Sequence, residues 1–215
     1  MKYRLAVFDL DGTILNTLDD LADSLNHVLS EYSYPARTTN ETRQFVGNGI
    51  YKLIERAVPQ YASADDINKV YTSFGEYYKL HCAEKTAPYN GIPELLQSLR
   101  NAGIKTAVVS NKADFAVKIL CDKYFPQMFD SVIGERKGTA KKPAPDSVNK
   151  TLENLCIPAS EAVYIGDSDV DILTAKNAGV DCISVSWGFR SKQFLCENGA
   201  KTIVSDAEEL KKLLI

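Results

Sequence analysis

Two aspartates near the N-terminus are the residues best placed for chemistry. Asp9 and Asp11 stand two positions apart in Asp9-Leu10-Asp11-Gly12-Thr13, directly after the apolar run Leu5-Ala6-Val7-Phe8. Residues two apart leave a strand on the same side, and adjacent carboxylates repel each other unless a cation neutralises them or one holds a proton. The pair therefore predicts a metal site, an acid/base pair or both. The alternative is a simple turn in which Gly12 supplies a positive φ.

A second acidic cluster, Gly166-Asp167-Ser168-Asp169-Val170-Asp171, follows another apolar run. Asp167 and Asp171 are four apart, which predicts that they share one face of the first turn of a helix. Asp169 is expected to face solvent. Capping of the helix and its dipole explain one of these aspartates, whereas three within five residues exceed what a cap requires.

Two further segments could bind an anion. Ser110 and Asn111 follow a predicted strand at residues 105–109, and a hydroxyl with free backbone N–H groups at a helix start suits an anion. Lys142 precedes a proline-initiated helix in the segment Lys141-Lys142-Pro143-Ala144-Pro145-Asp146. The alternatives are an ordinary helix cap for the first segment and a solvated basic loop for the second.

All four segments fall next to predicted strands. Apolar runs predict strands at residues 2–10, 105–109, 131–133, 163–165 and 182–185, with helical periodicity between the later ones. Alternating strands and helices predict an α/β fold with a doubly wound parallel sheet. In such sheets ligands bind beyond the carboxyl ends of the strands, so the four segments are expected to meet at one edge.

Residues 15–88 interrupt this alternation. They contain four helical patterns and no convincing strand, which predicts an inserted all-helical cap domain at 15–88 and a core domain formed by 1–14 and 89–215. Because the insertion follows the first strand, it is expected to lie over the site and to act as a lid.

Composition and charge exclude several classes of function. The chain has 215 residues, of which 45% are hydrophobic and 25% charged, and its net charge is −3, as is typical of globular proteins. Without a basic excess we expect no nucleic-acid partner and no membrane partner. Five cysteines without a C-x-x-C pair favour reduced thiols, and the N-terminal apolar run is too short for a signal peptide. We therefore expect a cytoplasmic protein.

Taken together, the motifs resemble those of haloacid dehalogenase superfamily phosphatases that carry a helical cap, and of phosphoglycolate phosphatases in particular. The Asp9 motif, the Ser110 and Lys142 segments and the cluster at 166–171 match the family pattern in order and spacing. The resemblance covers nearly the whole chain and implies the family's Rossmann-like core. It also implies Mg²⁺ as cofactor and hydrolysis of a small phosphorylated metabolite.

The resemblance also implies a role for each residue. Asp9 resembles the nucleophile that forms an aspartyl-phosphate, and Asp11 resembles the general acid/base. The implied Mg²⁺ ligands are a side-chain oxygen of Asp9, the main-chain carbonyl of Asp11 and Asp167, with Asp171 as a ligand through water or an orienting residue. The implied phosphate-binding residues are Thr13, Ser110, Asn111 and Lys142.

The segment Arg43-Gln44-Phe45-Val46-Gly47-Asn48-Gly49 resembles the cap loop of phosphoglycolate phosphatases. Gly47 lets the backbone approach a ligand closely, and Arg43 could pair with a substrate carboxylate. We therefore expect Arg43, Gly47 and Asn48 to bind substrate, the alternative being a turn between helices with Arg43 in solvent. Trp187-Gly188-Phe189 resembles the family's late core motif.

Other functions stay open at this stage. A phosphosugar mutase of the β-phosphoglucomutase type would return the phosphoryl group to its substrate, and a pyrophosphatase or nucleotidase would share the fold. A receiver-like phospho-acceptor or a phosphate-sensing module would use similar residues without turnover. The loop around Gly47 favours the phosphatase over the mutase, and the helical insertion disfavours the receiver. We expect a monomer or a homodimer.

Overall fold

The computed structural model describes residues 2–215, in which strands and helices alternate after an initial run of helices. The elements in chain order are β1 (Leu5–Phe8), β2 (Leu15–Asn16), α1 (Leu18–Glu31), α2 (Thr39–Phe45), α3 (Ile50–Ala57), α4 (Ala64–His81), β3 (Ala87–Pro88), α5 (Ile92–Asn101), β4 (Lys105–Ala113), α6 (Asp114–Tyr124), β5 (Ser131–Glu135), α7 (Asp146–Leu155), β6 (Ala162–Gly166), α8 (Asp169–Ala178), β7 (Asp181–Val185), α9 (Lys192–Glu197), β8 (Ile203–Val204) and α10 (Ala207–Leu214).

β1 lies in the middle of a six-stranded sheet with the order β5-β4-β1-β6-β7-β8, in which neighbouring strands run parallel. All four residues of β1 are fully buried, as expected of a strand that is covered on both faces. The predicted α/β fold with a parallel sheet is confirmed. The carboxyl ends of β1, β4 and β6 lie side by side, which places the segments that follow them at one edge.

Two strand predictions differ from the structure by more than two residues, and the short elements β8 and α9 were not predicted. β1 ends at Phe8, earlier than predicted, because the chain turns at once into the segment 9–12. β4 continues to Ala113 through a register shift against β5, so the predicted strand at 105–109 is too short. β8 and α9 have two and six residues, too few for a hydrophobic period to reveal them.

Helices α1–α4, called the helical insert here (residues 18–81), lie between β2 and β3. β2 and β3 pair antiparallel, with Leu15 opposite Pro88, so the chain leaves and re-enters the core through adjacent strands. The predicted domain boundaries at 15 and 88 fall on this pair. Local signals explain the starts of α2 and α4, since Thr38 and Ser63 each form a capping box with the residue three positions later.

Asp20 fixes the return of the chain from the helical insert. Its buried carboxylate accepts hydrogen bonds from the backbone N–H groups of Glu84, Lys85 and Thr86, at 3.1, 2.8 and 2.8 Å. These donors lie just before β3, outside regular secondary structure, and buried backbone groups need partners. The first turn of α1 is thereby tied to the strand that closes the insert.

Two apolar layers cover the faces of the sheet. Ala6 and Phe8 belong to the larger layer, which continues into the helical insert through residues such as Leu25 and Phe74. Leu5 and Val7 point to the opposite layer, which is closed by side chains of α7 and α8. The alternation follows from the two-residue period of a strand. Because the larger layer is shared, packing as well as covalent connection holds the insert against the core.

No helix within residues 2–215 combines the length and the apolar character that a membrane span needs.

Candidate active site

The carboxyl ends of three adjacent strands bring the predicted segments together. Asp9 follows β1, Asp167 follows β6, and Ser110 lies within the last part of β4. The expectation that Ser110 stands at a helix start is wrong, because the irregular end of β4 separates it from α6, which begins at Asp114. Ser110 nevertheless lines the same cavity as both aspartates.

Three carboxylates form a buried cluster at this edge. Asp9, Asp167 and Asp171 each offer an oxygen, and these oxygens lie within 4.8 Å of one another. Burial raises the pKa of Asp9 to about 6, against the opposing charge of Lys142. Burial, with the charges of Asp171 and Asp9, also raises the pKa of Asp167 well above its ordinary value. Like charges that lie close together away from water repel each other, and a bound divalent cation relieves this repulsion.

Asp167 is held from three sides. The backbone N–H of Phe189 donates to its Oδ2 at 2.6 Å, and the Thr13 hydroxyl donates to its Oδ1 at 3.4 Å. Gly12 and Gly188 pack so closely against it that a Cβ at either position would overlap its side chain. The Asp9 motif and the Trp187-Gly188-Phe189 segment therefore both serve to position this carboxylate.

Asp171 takes part in the capping box of α8 and also belongs to the cluster. Its side chain accepts hydrogen bonds from the backbone N–H and the hydroxyl of Ser168, the N-cap residue, so Asp171 completes the capping box and also contributes an oxygen to the carboxylate cluster. Asp167 lies before this cap, outside α8, which corrects the expectation that it shares the first helical turn with Asp171.

Lys142 provides the positive charge beside the cluster. Its Nζ lies 2.7 Å from Asp171 Oδ1, 2.9 Å from Asp9 Oδ1 and 3.0 Å from the Tyr164 hydroxyl. Burial acts to lower the pKa of this ammonium group, but the two carboxylates outweigh it and raise that pKa. Asp9 Oδ1 is buried, and no group within residues 2–215 donates a hydrogen bond to it in good geometry. An oxygen-rich cluster with such an unpaired acceptor suits Mg²⁺, which prefers oxygen ligands.

Asp11 belongs to a second, separate network. Its Oδ1 accepts hydrogen bonds from the Thr17 hydroxyl at 2.6 Å and from Lys112 Nζ at 2.8 Å. Lys112 also donates to the hydroxyl of Tyr78, on α4, at 2.6 Å. Burial acts to lower the pKa of Lys112, but Asp11 and Tyr78 outweigh it and raise that pKa. The two aspartates of the first motif thus each face their own buried lysine.

An inner cavity lies between the core and the helical insert. Its core side carries most of the polar groups. The lining residues include Asp9, Asp11, Ser110, Asn111, Lys112, Asp167, Phe189 and Arg190 from the core, and Leu21, Val46, Gly47, Gly49, Ile50, Leu53 and Tyr78 from the insert and its loops. The core side of the cavity is charged and the insert side is largely apolar. This arrangement suits a small substrate whose charged group points into the core.

The predicted substrate-binding residues of the insert divide between two places. Gly47 lines the inner cavity. Arg43 and Asn48 line a separate outer cleft between the insert and the loop after β7; the Arg43 side chain is exposed, and Asn48 accepts a hydrogen bond from Arg56. The guanidinium group at the inner cavity is that of Arg190, which donates to the carbonyls of Arg43 and Val46 at 2.8 Å each.

Two of the predicted phosphate-binding side chains make other contacts in this structure. Thr13 is fully buried against Asp167. The Asn111 side-chain amide donates to the carbonyls of Gly47 and Lys142, and its oxygen accepts from the Lys142 backbone at 2.8 Å. Asn111 thus links the insert loop to the Lys142 segment.

Several residues of the site carry no role in the sequence analysis. Lys112 adjoins Ser110 and Asn111, and Arg190 directly follows the Trp187-Gly188-Phe189 segment, so both lie where a longer motif would include them. Tyr164 is a polar aromatic residue within a buried strand, which is itself a signal that its hydroxyl has a partner. Tyr78 has no such signal, because its spacing is that of an ordinary helix core position.

Comparisons with known proteins agree with this geometry. The family described as haloacid dehalogenase-like hydrolase matches residues 6–185. The phosphoglycolate phosphatase of Vibrio parahaemolyticus is 31% identical over 218 residues, covering 98% of this chain and 96% of that protein. The phosphoglycolate phosphatase of Pseudomonas savastanoi is 30% identical over 212 residues, covering 96% and 78%. A crystal structure from Lactobacillus delbrueckii, assigned as a phosphoglycolate phosphatase, is 38% identical with a TM-score of 0.95 and covers 100% of this chain and 99% of that one.

Proposed function

This chain belongs to the haloacid dehalogenase-like hydrolase family, and we propose that it is a Mg²⁺-dependent phosphatase that acts on small phosphomonoesters, with phosphoglycolate as the first candidate. The observation that carries the proposal is the buried cluster of Asp9, Asp167 and Asp171 beside Lys142, in which Asp9 and Asp167 line the inner cavity. The relatives named phosphoglycolate phosphatase support the substrate class. In this proposal residues 1–14 and 89–215 form the catalytic core and residues 15–88 form its cap.

Binding of the phosphoryl group depends on charges that the core provides. Lys142 and the hydroxyl of Ser110 hold phosphoryl oxygens, and Lys142 offsets the negative charge of Asp9 so that a carboxylate can approach a phosphate. Mg²⁺ would be held by Asp9, Asp167 and the main-chain carbonyl of Asp11, with Asp171 as a ligand directly or through water. When bound, the ion would supply positive charge that offsets the charge of the phosphoryl oxygens.

In the first step Asp9 attacks phosphorus and the bond to the ester oxygen breaks. Asp11 donates a proton to the departing alkoxide, so that an alcohol leaves and an aspartyl-phosphate remains on Asp9. Covalent catalysis replaces one slow displacement with two easier ones. The cap excludes bulk water from this step, because its apolar residues cover the cavity.

In the second step the now ionised Asp11 takes a proton from a water molecule, which attacks phosphorus. The bond between phosphorus and the Asp9 oxygen breaks, inorganic phosphate is released, and Asp9 returns to its carboxylate form. The same side chain thus serves as acid and then as base, which requires one of its oxygens to remain accessible to the reacting atoms.

Turnover of p-nitrophenyl phosphate with Mg²⁺ and with EDTA tests the proposal. We expect metal-dependent release of p-nitrophenol, and loss of steady-state turnover in Asp9→Asn and Asp11→Asn variants whose unfolding curves match the wild type. Full activity of Asp9→Asn would refute the nucleophile assignment. A wild-type protein without metal-dependent turnover would favour a receiver-like or phosphate-sensing role.

A screen of phosphorylated metabolites then tests the substrate class. We expect phosphoglycolate among the best substrates, with release of stoichiometric inorganic phosphate. Accumulation of an isomeric sugar phosphate would favour the mutase, and preference for pyrophosphate or a nucleotide would favour the other hydrolases of this fold. Binding of beryllium fluoride to the wild type, and its loss in Asp9→Asn, checks the acyl-phosphate independently of substrate.

A further inference from the structure

Lys112 is a buried cation that the proposed reaction does not use. Its side chain is 2% exposed, and its Nζ contacts Asp11 Oδ1 at 2.8 Å and the Tyr78 hydroxyl at 2.6 Å. The ammonium group also lies 4.7 Å from the centre of the Tyr78 ring. Burying a lysine is costly unless its charge and its donors are satisfied, so this side chain is held in one place by Asp11 and Tyr78 together.

The contacts of Asp11 are unequal between its two oxygens. Oδ1 accepts hydrogen bonds from both Thr17 and Lys112, whereas no side chain or backbone group within residues 2–215 donates to Oδ2. Two donors on one oxygen fix the rotation of the carboxylate about its last bond. Oδ2 therefore remains the oxygen available to the cavity, which Asp11 lines.

Thr17 shows that this arrangement overrides a local preference. It stands at the N-cap of α1, where a threonine hydroxyl normally accepts a hydrogen bond from the helix backbone. Here it makes no such bond, and its hydroxyl donates to Asp11 instead. Functional sites typically contain residues that give up a local preference, here helix capping by Thr17, for a contact with a reactive group such as Asp11.

Tyr78 makes the arrangement depend on the helical insert. It is fully buried on α4, stacked on Phe74 with ring centres 5.2 Å apart, while Lys112 belongs to β4 of the core. The Tyr78 hydroxyl is thus the one contact of Lys112 Nζ, among those described above, that comes from the insert. Movement of α4 away from the core would remove it.

We propose that Lys112, held by Tyr78 of the helical insert, is a positioning residue that turns Asp11 so that Oδ2 faces the leaving group only when the insert is seated on the core. The inference rests on the proposed phosphatase function and deepens it. It links closure over the substrate to the geometry of proton donation. Lys112 itself does not need to touch the substrate in this scheme.

A comparison of two leaving groups tests this role. Benzyl phosphate and p-nitrophenyl phosphate have similar shapes, but benzyl alcohol must leave with a proton whereas p-nitrophenolate leaves without one. We expect Lys112→Met to lower kcat/KM for benzyl phosphate by about 100-fold, in the range of general acid catalysis, and for p-nitrophenyl phosphate by less than about tenfold. Because kcat/KM reports the steps up to departure of the leaving group, slower hydrolysis of the aspartyl-phosphate does not confuse the comparison.

Tyr78→Phe provides a milder variant in case Lys112→Met does not fold. It keeps the ring and removes the hydroxyl, so we expect the same selective loss with benzyl phosphate at smaller size. Lys118→Met and Tyr77→Phe are the matched controls, because Lys118 pairs with Asp114 at the surface of α6 and Tyr77 stacks between two histidines on another face of α4. Both controls should keep the wild-type ratio between the two substrates.

The outcomes separate this inference from the proposed function. Equal losses for the two substrates in Tyr78→Phe and Lys112→Met, or a rise in KM alone, would overturn the positioning role while leaving the phosphatase in place. A wild-type enzyme without Mg²⁺-dependent turnover of either substrate would overturn both. A selective loss with benzyl phosphate that the controls do not share supports the inference.

Discussion

Lys142 faces Asp9 across 2.9 Å, close enough for an ion pair but outside good hydrogen-bonding geometry, so that Asp9 Oδ1 stays without a donor. The ammonium group instead directs hydrogen bonds to Asp171 and Tyr164. Lys142 therefore contributes charge to Asp9 without occupying that oxygen with a directed bond. In the proposed function that unpaired oxygen stays available to Mg²⁺, which prefers oxygen ligands.

Replacing Lys142 tests this relationship. We expect Lys142→Met to lower kcat by about 100-fold or more, the range found when one charge-stabilising donor is removed from an active site. Lys141→Met is the matched control, because the Lys141 side chain is exposed and pairs with Glu135, and exposed ion pairs contribute at most about 1 kcal/mol. Equal losses in the two variants would contradict the choice of Lys142.

The raised carboxyl pKa values predict how stability depends on pH when Mg²⁺ is absent. Burial raises the pKa of Asp9 to about 6 and that of Asp167 well above its ordinary value. The folded state therefore holds protons that the unfolded state has released, and its stability falls as the pH rises through about 6. Thermal unfolding in EDTA should show a midpoint that decreases from about pH 4, near the ordinary carboxyl pKa, to about pH 6.

Mg²⁺ and Asp167→Asn are the controls for this pH dependence. Mg²⁺ at about 100 times its Kd should stabilise the wild type by ~2.7 kcal/mol, which corresponds to a midpoint about 5–10 °C higher for a chain of this size. Asp167→Asn removes one of the two titrating carboxyl groups and should flatten the decline in EDTA. A thermal unfolding midpoint that rises over this pH range in EDTA would show that repulsion within the carboxylate cluster does not destabilise the folded state.

Gly188 predicts a metal-affinity defect without a change in any ligand. A Cβ there would overlap Asp167 and the backbone of Gly12, so Gly188→Ala should displace Asp167 and weaken Mg²⁺ binding by about 10–100-fold, as other losses of ligand support do. Gly75→Ala in α4 is the control, because nothing lies within 4 Å of its Cβ position, and it should stabilise the fold by about 0.5–1 kcal/mol. Calorimetric Mg²⁺ titration of both variants measures the difference.

Arg190 joins the core to the C-terminal end of α2 through the carbonyls of Arg43 and Val46. Arg190→Met should weaken closure of the insert and raise KM for phosphoglycolate by about tenfold, equivalent to ~1.4 kcal/mol. Arg136→Met, which removes an exposed partner of Asp114, should leave KM near the wild-type value. An unchanged KM in Arg190→Met would mean that apolar packing alone holds the helical insert against the core.

Asp20 predicts a loss of stability that is separate from the chemistry. Asp20→Ala leaves three backbone N–H groups at 84–86 without their acceptor, and we expect the free energy of unfolding to fall by about 2–4 kcal/mol. Asp19→Ala alters the same turn of α1 but removes an exposed side chain, so it should cost less than about 1 kcal/mol. Urea denaturation of the two variants provides the comparison.

Much of the site could be predicted from local patterns in the sequence. Asp9, Asp167 and Lys142 could be predicted because each follows or precedes a recognisable element, and parallel strands bring their carboxyl ends to one edge whatever the details of packing. The four helices of the insert were equally accessible, since capping boxes and apolar spacing are set within a few residues. The position of Ser110 was not, because the irregular end of β4 leaves no mark in the apolar pattern.

The sequence by itself determined the order of the longer strands and helices and which carboxylates directly follow strands, because these features depend on residues near each other in the chain. Only the tertiary structure decided that Tyr78 reaches Lys112, that Arg190 rather than Arg43 lines the inner cavity, and which oxygen of Asp11 stays free. Those contacts join segments far apart in the chain, across the boundary between the insert and the core. They depend on how a helix of the insert packs against the end of a core strand. The packing of the whole apolar layer fixes this arrangement, and no local signal does.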